Sequence, residues 1–254
     1  MSLFRTAPRY ADGDRIAVGP AMVRLRVSGR ARRVSLRLDA ARREVVATAP
    51  SLRRLNEAAA FALERRTWIE ARLAELPQAQ PLAPGAVIEV LGRPWLLQSA
   101  PGRAKWLPAL GEAPARLVVS GQDEAFRRAV VRALKAEAAR ILADRTAFYA
   151  QAVDRPAPVV SIVDPKARWG SCKQPRATGF GAQAEVGRIR YSWRLVLAPW
   201  AVMDYVAAHE CAHLIEANHS PRFWAVVHGL VGDEKPHRDW LRANGSRLHA
   251  FGKS

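Results

Sequence analysis

The sequence predicts an α+β fold: antiparallel strands with interspersed helices in the amino-terminal half, and a more helical carboxy-terminal half. Three observations carry this expectation. Apolar and polar residues alternate at period two between Arg15 and Pro50, a helical pattern runs from Asp123 to about Val153, and another begins at Pro199. A chain of 254 residues that is 49% hydrophobic and 25% charged has the length and composition to bury a sizeable core.

The elements follow in order. Val23, Leu25 and Val27 share one strand face opposite Arg24 and Arg26. Val34, Leu36 and Leu38 answer them, opposite Arg33, Ser35 and Arg37. With Gly29 in the connection, the two runs read as an antiparallel hairpin with one buried and one basic face. Ser51 is the expected cap of a helix reaching about Leu76, with Leu55, Ala59, Ala62, Leu63, Ile69 and Leu73 at roughly helical spacing. Pro77 to Pro84 is the clearest linker. Short strands are expected at Val87–Leu91, Trp95–Gln98 and Arg116–Val119. The long helix then carries Phe126, Val130, Leu134, Ala138, Ile141 and Phe148 along its apolar side. Val159–Val163 and Arg188–Ser192 read as strands flanking a glycine-containing loop, and Pro199 suits the first turn of a helix to about Ala217. No internal repeat or low-complexity tract stands out.

Charge narrows the choice of partners. The formal net charge is +17, 34 of the 40 basic residues are Arg, and residues 1–66 hold 15 Arg against 6 acids. An arginine-rich face of this kind attracts polyanions, so nucleic acid or a nucleotide is an expected partner beside the plainer expectation of a solvated surface. No apolar run is long enough to span a bilayer, which excludes a membrane protein of the helical kind. The first residues lack the apolar stretch of a secretory signal. Two cysteines, Cys172 and Cys211, are too few for a disulfide scaffold, so free thiols and a cytoplasmic location are expected.

The decisive segment is His209-Glu210-Cys211-Ala212-His213. Residues four apart share a helix face, so His209 and His213 can offer two imidazoles to one ion. Glu210, rotated by about 100°, can reach a water on that ion as general base. A third ligand is needed. Glu216 lies about 4.5 Å further along the axis than His213, so a continuous helix carries it past the ion. Asp233 and Glu234 are later acidic candidates. His219 is favoured, because Asn218 can take the left-handed conformation that ends a helix, and Ser220-Pro221 then opens a new one. His228, His237 and His249 read as structural or surface groups, with His228 also a candidate donor near the reacting centre. Tyr205, one turn before His209, reads as buried.

Around this segment stand Arg168-Trp-Gly-Ser-Cys172, Tyr191-Ser-Trp-Arg-Leu195, Asp204–Leu214, Asn218-His-Ser-Pro-Arg-Phe-Trp224 and Trp240-Leu241. In this order they resemble the YgjP-like branch of the SprT/WLM-type metallopeptidases, and the resemblance covers nearly the whole chain. It implies a zincin-like α+β catalytic unit, Zn2+ held by His209, His213 and His219, and Glu210 as catalytic base. The expected organisation is a β-rich amino-terminal region, residues 1–120, followed by a metallopeptidase catalytic region, residues 121–254. Ser192 departs from the Asn frequent in relatives. In the Arg168–Cys172 motif, Gly170 suits a tight backbone approach, Trp169 is expected under the metal helix, and Cys172 reads as a structural thiol or a metal-adjacent one.

Three functions fit. The first is a zinc metallopeptidase acting on protein or peptide, in which a zinc-bound water near neutral pKa is activated by Glu210. The second is a metal-dependent hydrolase of a non-peptide anion such as a nucleotide phosphoanhydride. The third is a nucleic-acid-associated protein with structural zinc, which an intact Glu210 disfavours.

Overall fold

In the computed structural model, residues 10–39, 44–75, 82–165, 168–175 and 186–252 are described. The fold is mixed α+β, with three small mixed sheets and, among the described residues, six α-helices whose longest members lie in the carboxy-terminal half. The chain forms two compact units, Met1–Gln78 and Ala79–Ser254. Their division falls within the Pro-rich linker, of which residues 77–81 lie outside the described residues.

The first unit holds β1 (Arg15–Val18), β2 (Ala21–Val27), β3 (Ser35–Asp39) and β4 (Glu44–Ala49), in the sheet order β1-β2-β4-β3. The expected hairpin between the two basic strands does not form. β4 lies between them, parallel to β2 and antiparallel to β3. The physical reason is burial: five of the six β4 residues are buried, on both faces, which suits a central strand. β3 exposes Ser35 and Arg37 and takes the edge. Arg24 is held by Glu44 at 2.9 Å, so the basic face is partly neutralised within the sheet.

The expected helix after Ser51 is broken. A 3-10 turn (Leu52–Arg54), which Ser51 precedes without a side-chain capping bond, leads into α1 (Leu55–Glu64), and Arg65 separates α1 from α2 (Arg66–Ala74). α1 buries Leu55, Ala58, Ala59 and Ala62, a helical stripe small enough to lie close against Val23, Leu25, Val45 and Ala47.

In the second unit β5 (Val87–Val90), β6 (Arg93–Ser99), β7 (Lys105–Leu107) and β8 (Arg116–Val119) have the order β5-β6-β8-β7. This repeats the first sheet. Each begins with a hairpin closed by a two-residue turn, continues with a parallel pair, ends with an antiparallel edge, and runs into a helix. Equivalent backbone bonds recur: Gly13 N–H to Leu25 C=O and Gly85 N–H to Leu97 C=O, then Ser28 N–H to Ala49 C=O and Ala100 N–H to Val119 C=O. The sequence betrays the repeat only through Gly-x-x-Ile-x-Val, at Gly13–Val18 and Gly85–Val90. Backbone pairing defines a sheet with few identical side chains, which is why the duplication escapes inspection of the sequence.

The helix after β8 is α3 (Asp123–Ala152), which buries Phe126, Val130, Leu134, Ala138, Ile141 and Leu142. A third sheet, β10-β11-β9, joins β9 (Val159–Val163), β10 (Gly170–Lys173) and β11 (Arg188–Ser192). β10 arises within the segment expected as a loop. α4 (Trp200–Ala212), α5 (Pro221–Val231) and α6 (Lys235–Ala250) complete the unit. The hairpin tip at Leu91-Gly92 locks this assembly to the approach of α4. Leu91 donates its N–H to the Val196 carbonyl at 2.8 Å, and a Cβ on Gly92 would touch Pro199 at 3.5 Å. No described helix is long and apolar enough to cross a membrane.

Candidate metal centre

α4 carries two of the three central imidazoles, and its buried side is apolar apart from Tyr205 and Glu210. Val202, Met203, Val206, Ala207 and Cys211 fix its rotation, and Asp204 ties it to α3. Asp204 accepts from Arg145 Nε at 2.5 Å and from the Tyr149 hydroxyl at 2.8 Å, a partly buried charge-assisted brace. The helix ends at Ala212, earlier than expected, with His213 as its C-cap. Asn218 is not in the left-handed conformation expected of it. The turn is made instead by Leu214 and Ile215, whose N–H groups bond back to Cys211 and Ala212. Ser220 then caps α5 as expected, accepting from Phe223 N–H at 3.3 Å, with Pro221 at the first position.

This path brings together His209, His213 and His219. One ring nitrogen from each lies within 4.8 Å of the others. His209 Nε2 and His219 Nε2 are 3.2 Å apart. Two nitrogens bound to one tetrahedral zinc at 2.0–2.1 Å stand about 3.3 Å apart, so the spacing fits such an ion. His213 Nδ1 bonds to the Glu216 carbonyl at 2.9 Å, which can only accept. The proton is therefore on Nδ1, and Nε2 is left with the free lone pair a metal requires. The Tyr205 hydroxyl lies 3.3 Å from His209 Nδ1. Burial, reinforced by His213, His219 and the Arg238 guanidinium, lowers the His209 pKa to about 3, and burial lowers that of His213. Both rings are thus held neutral, as ligands must be. Phe223 backs all three, with ring centres 4.5 to 4.9 Å away.

Glu210 is 5% exposed, and its Oε2 has no hydrogen-bond partner among the described residues. Burial pushes its pKa up to about 8. A buried carboxyl oxygen without a partner marks a group kept for a ligand or a proton, and Glu210 follows His209 directly on α4. Gly170 on β10 makes room for it. A Cβ there would lie 2.6 Å from Glu210 Cγ, which gives the Arg168–Cys172 motif a structural reason.

The other residues singled out fall outside the cluster. The Glu216 side chain is not among the three nitrogen donors; only its carbonyl serves His213. Glu234 pairs with His228 and Arg238. Trp169 lies against α6, stacked on His249 at 4.6 Å, where it was expected under the metal helix. His237 stacks on Tyr205. Cys172 is half-buried, with burial and the Glu210 charge pushing its thiol up to about 12. Sequence reasoning missed Gln174, whose Nε2 donates to the His213 carbonyl at 2.7 Å and closes the end of α4. Its place after the Gly-Ser-Cys strand was the available signal.

The fold and the imidazole cluster define a candidate metal-binding α+β protein. The family profile described as YgjP-like, metallopeptidase domain, matches residues 32–244, and the chain belongs to that family. No curated protein and no solved structure matches the chain.

Proposed function

We propose that the protein is a zinc-dependent peptidase in which His209, His213 and His219 hold the ion and Glu210 is the general base. The observation that carries this reading is the buried Glu210 carboxyl oxygen, without a partner among the described residues, next in the chain to a histidine of the clustered imidazole triad. Zinc bound there supplies a Lewis acid that lowers the pKa of water and polarises a carbonyl. The protein's own residues do the rest. Tyr205 and the Glu216 carbonyl orient two of the rings. Phe223 excludes solvent behind them, and the exposed His219 leaves the front open to substrate. Glu210 takes the proton of the attacking water and returns it to the leaving amine.

The test compares wild type with Glu210→Gln, after measuring zinc in both, on casein and on a quenched peptide library. Wild type cleaves, and the variant keeps zinc but loses roughly 10²-fold or more of the rate, the usual contribution of general base catalysis. Near wild-type cleavage by Glu210→Gln would falsify the assignment. Hydrolysis of nucleoside triphosphates with no peptide cleavage would move the site to phosphoanhydride chemistry.

A further inference from the structure

We infer that the open edge of the first sheet is a docking groove for an extended acidic segment of another polypeptide. Among the described residues β3 pairs only with β4, so the outer edge of its residues 35–38 presents N–H and C=O groups without described strand partners. Beside that edge runs a groove of about 370 Å³ between β3 and the α1–α2 helices. Val34, Leu36, Phe61 and Trp68 form its apolar part, and Arg33 and Arg65 flank it. Trp68 is 39% exposed, a large aromatic surface left open to water.

The second unit carries a larger side chain at the corresponding register. Leu36 is opposite Ala47 in the first sheet, and Trp106 is opposite Leu117 at the equivalent register of the second. There the Trp106 ring packs edge-on against Trp95 with centres 4.8 Å apart. The smaller Leu36 leaves the first unit without that ring, and an incoming apolar side chain can occupy the space.

Charge selects the occupant. Arg54, Arg66 and Arg72 on the same helical segment are each paired with a glutamate three or four residues away. Arg33 and Arg65 make no ion pair with a described residue, and the Arg65 guanidinium sits 5.5 Å from the Phe61 ring. Two guanidiniums without an ion pair among the described residues, beside an apolar groove, recognise carboxylates that flank an apolar side chain. The strand edge adds a backbone ladder, so the occupant is extended, with alternate side chains directed into the groove. An oligonucleotide would use the guanidiniums and would leave the ladder unused.

The probe is a labelled, blocked peptide of alternating glutamate and valine, eight residues long. It is titrated into the full-length protein and followed by fluorescence anisotropy. Expected is saturable binding that weakens at least tenfold in the Arg33→Gln/Arg65→Gln variant. Binding to wild type should weaken comparably when the peptide carries glutamine for glutamate, or N-methyl groups on alternate amides. These peptide controls decide the matter even where the double variant folds poorly. No binding of the glutamate peptide, equal binding of the glutamine or N-methylated peptides, or displacement by a thymidine oligonucleotide at lower concentration than by unlabelled peptide each overturns the inference.

Discussion

Gly170 and Glu210 touch so closely that a methyl group on the glycine would fall 2.6 Å from Cγ and 2.7 Å from Cδ of the glutamate. No real side chain tolerates that distance. The absence of a side chain on β10 is thus what lets the buried carboxyl group lie against the strand.

Gly170→Ala should therefore displace Glu210 while sparing the imidazoles. Under the proposed mechanism, peptide cleavage falls on the order of 10²-fold, as expected for a displacement of about 1 Å. Zinc content by elemental analysis stays at the wild-type value. Overpacking also lowers stability by about 1–3 kcal/mol in denaturant titration. Unchanged turnover in a folded Gly170→Ala protein would show that the carboxyl position is not needed.

Tyr205→Phe removes the hydroxyl that addresses His209 Nδ1 and leaves the ring stacked on His237. Zinc affinity, measured by competition with a chromophoric chelator, should fall 10- to 100-fold, as for other groups that orient a ligand imidazole. An affinity within twofold of wild type would mean that Phe223 packing alone fixes the ring.

The ligand set is tested by a pair of substitutions. Under the proposed function, about one zinc per chain is expected in wild type, held by three imidazoles. His219→Ala should lose most of it, whereas Glu216→Ala should keep it, because residue 216 contributes only its backbone carbonyl. Equal zinc in both variants would remove His219 from the site.

The two cysteines should react slowly. Burial first, and then the Glu210 charge, push Cys172 up to about 12. Burial likewise holds Cys211 at about 12, where its thiol donates to the Thr146 carbonyl. A raised pKa keeps the neutral thiol throughout the neutral range, and the thiolate is the nucleophile. Iodoacetamide at pH 7.5 should label neither within minutes in the folded protein and both in guanidinium, as read by mass spectrometry. Rapid labelling of Cys172 in the folded state would contradict this burial.

His209, Glu210 and His213 were legible because one turn of helix dictates their proximity, whereas His219 reaches them through a turn whose residues the sequence did not reveal. The long helix and most strands were legible from their periodicity. The tight approach at Gly170 was legible, but its partner Glu210 was not, and Gln174 was missed altogether, since both reach α4 across about forty intervening residues through or just after a strand of only four. The place of β4 was hidden for a related reason. Glu44–Ala49 is buried on both faces, so it lacks the alternation that made its neighbours visible, and its parallel pairing with β2 spans a distant stretch of chain. The stop at Ala212 was missed because Ile215, Glu216 and Ala217 are all acceptable in a helix.

Two rings of the imidazole cluster are oriented by acceptors of different heredity. His209 depends on a phenol hydroxyl, which a single codon change deletes. His213 depends on a main-chain oxygen, which every residue at position 216 supplies. Random mutagenesis should therefore find position 205 nearly invariant among active clones and position 216 permissive. Drift at these two sites would be unequal although they serve neighbouring rings of one cluster.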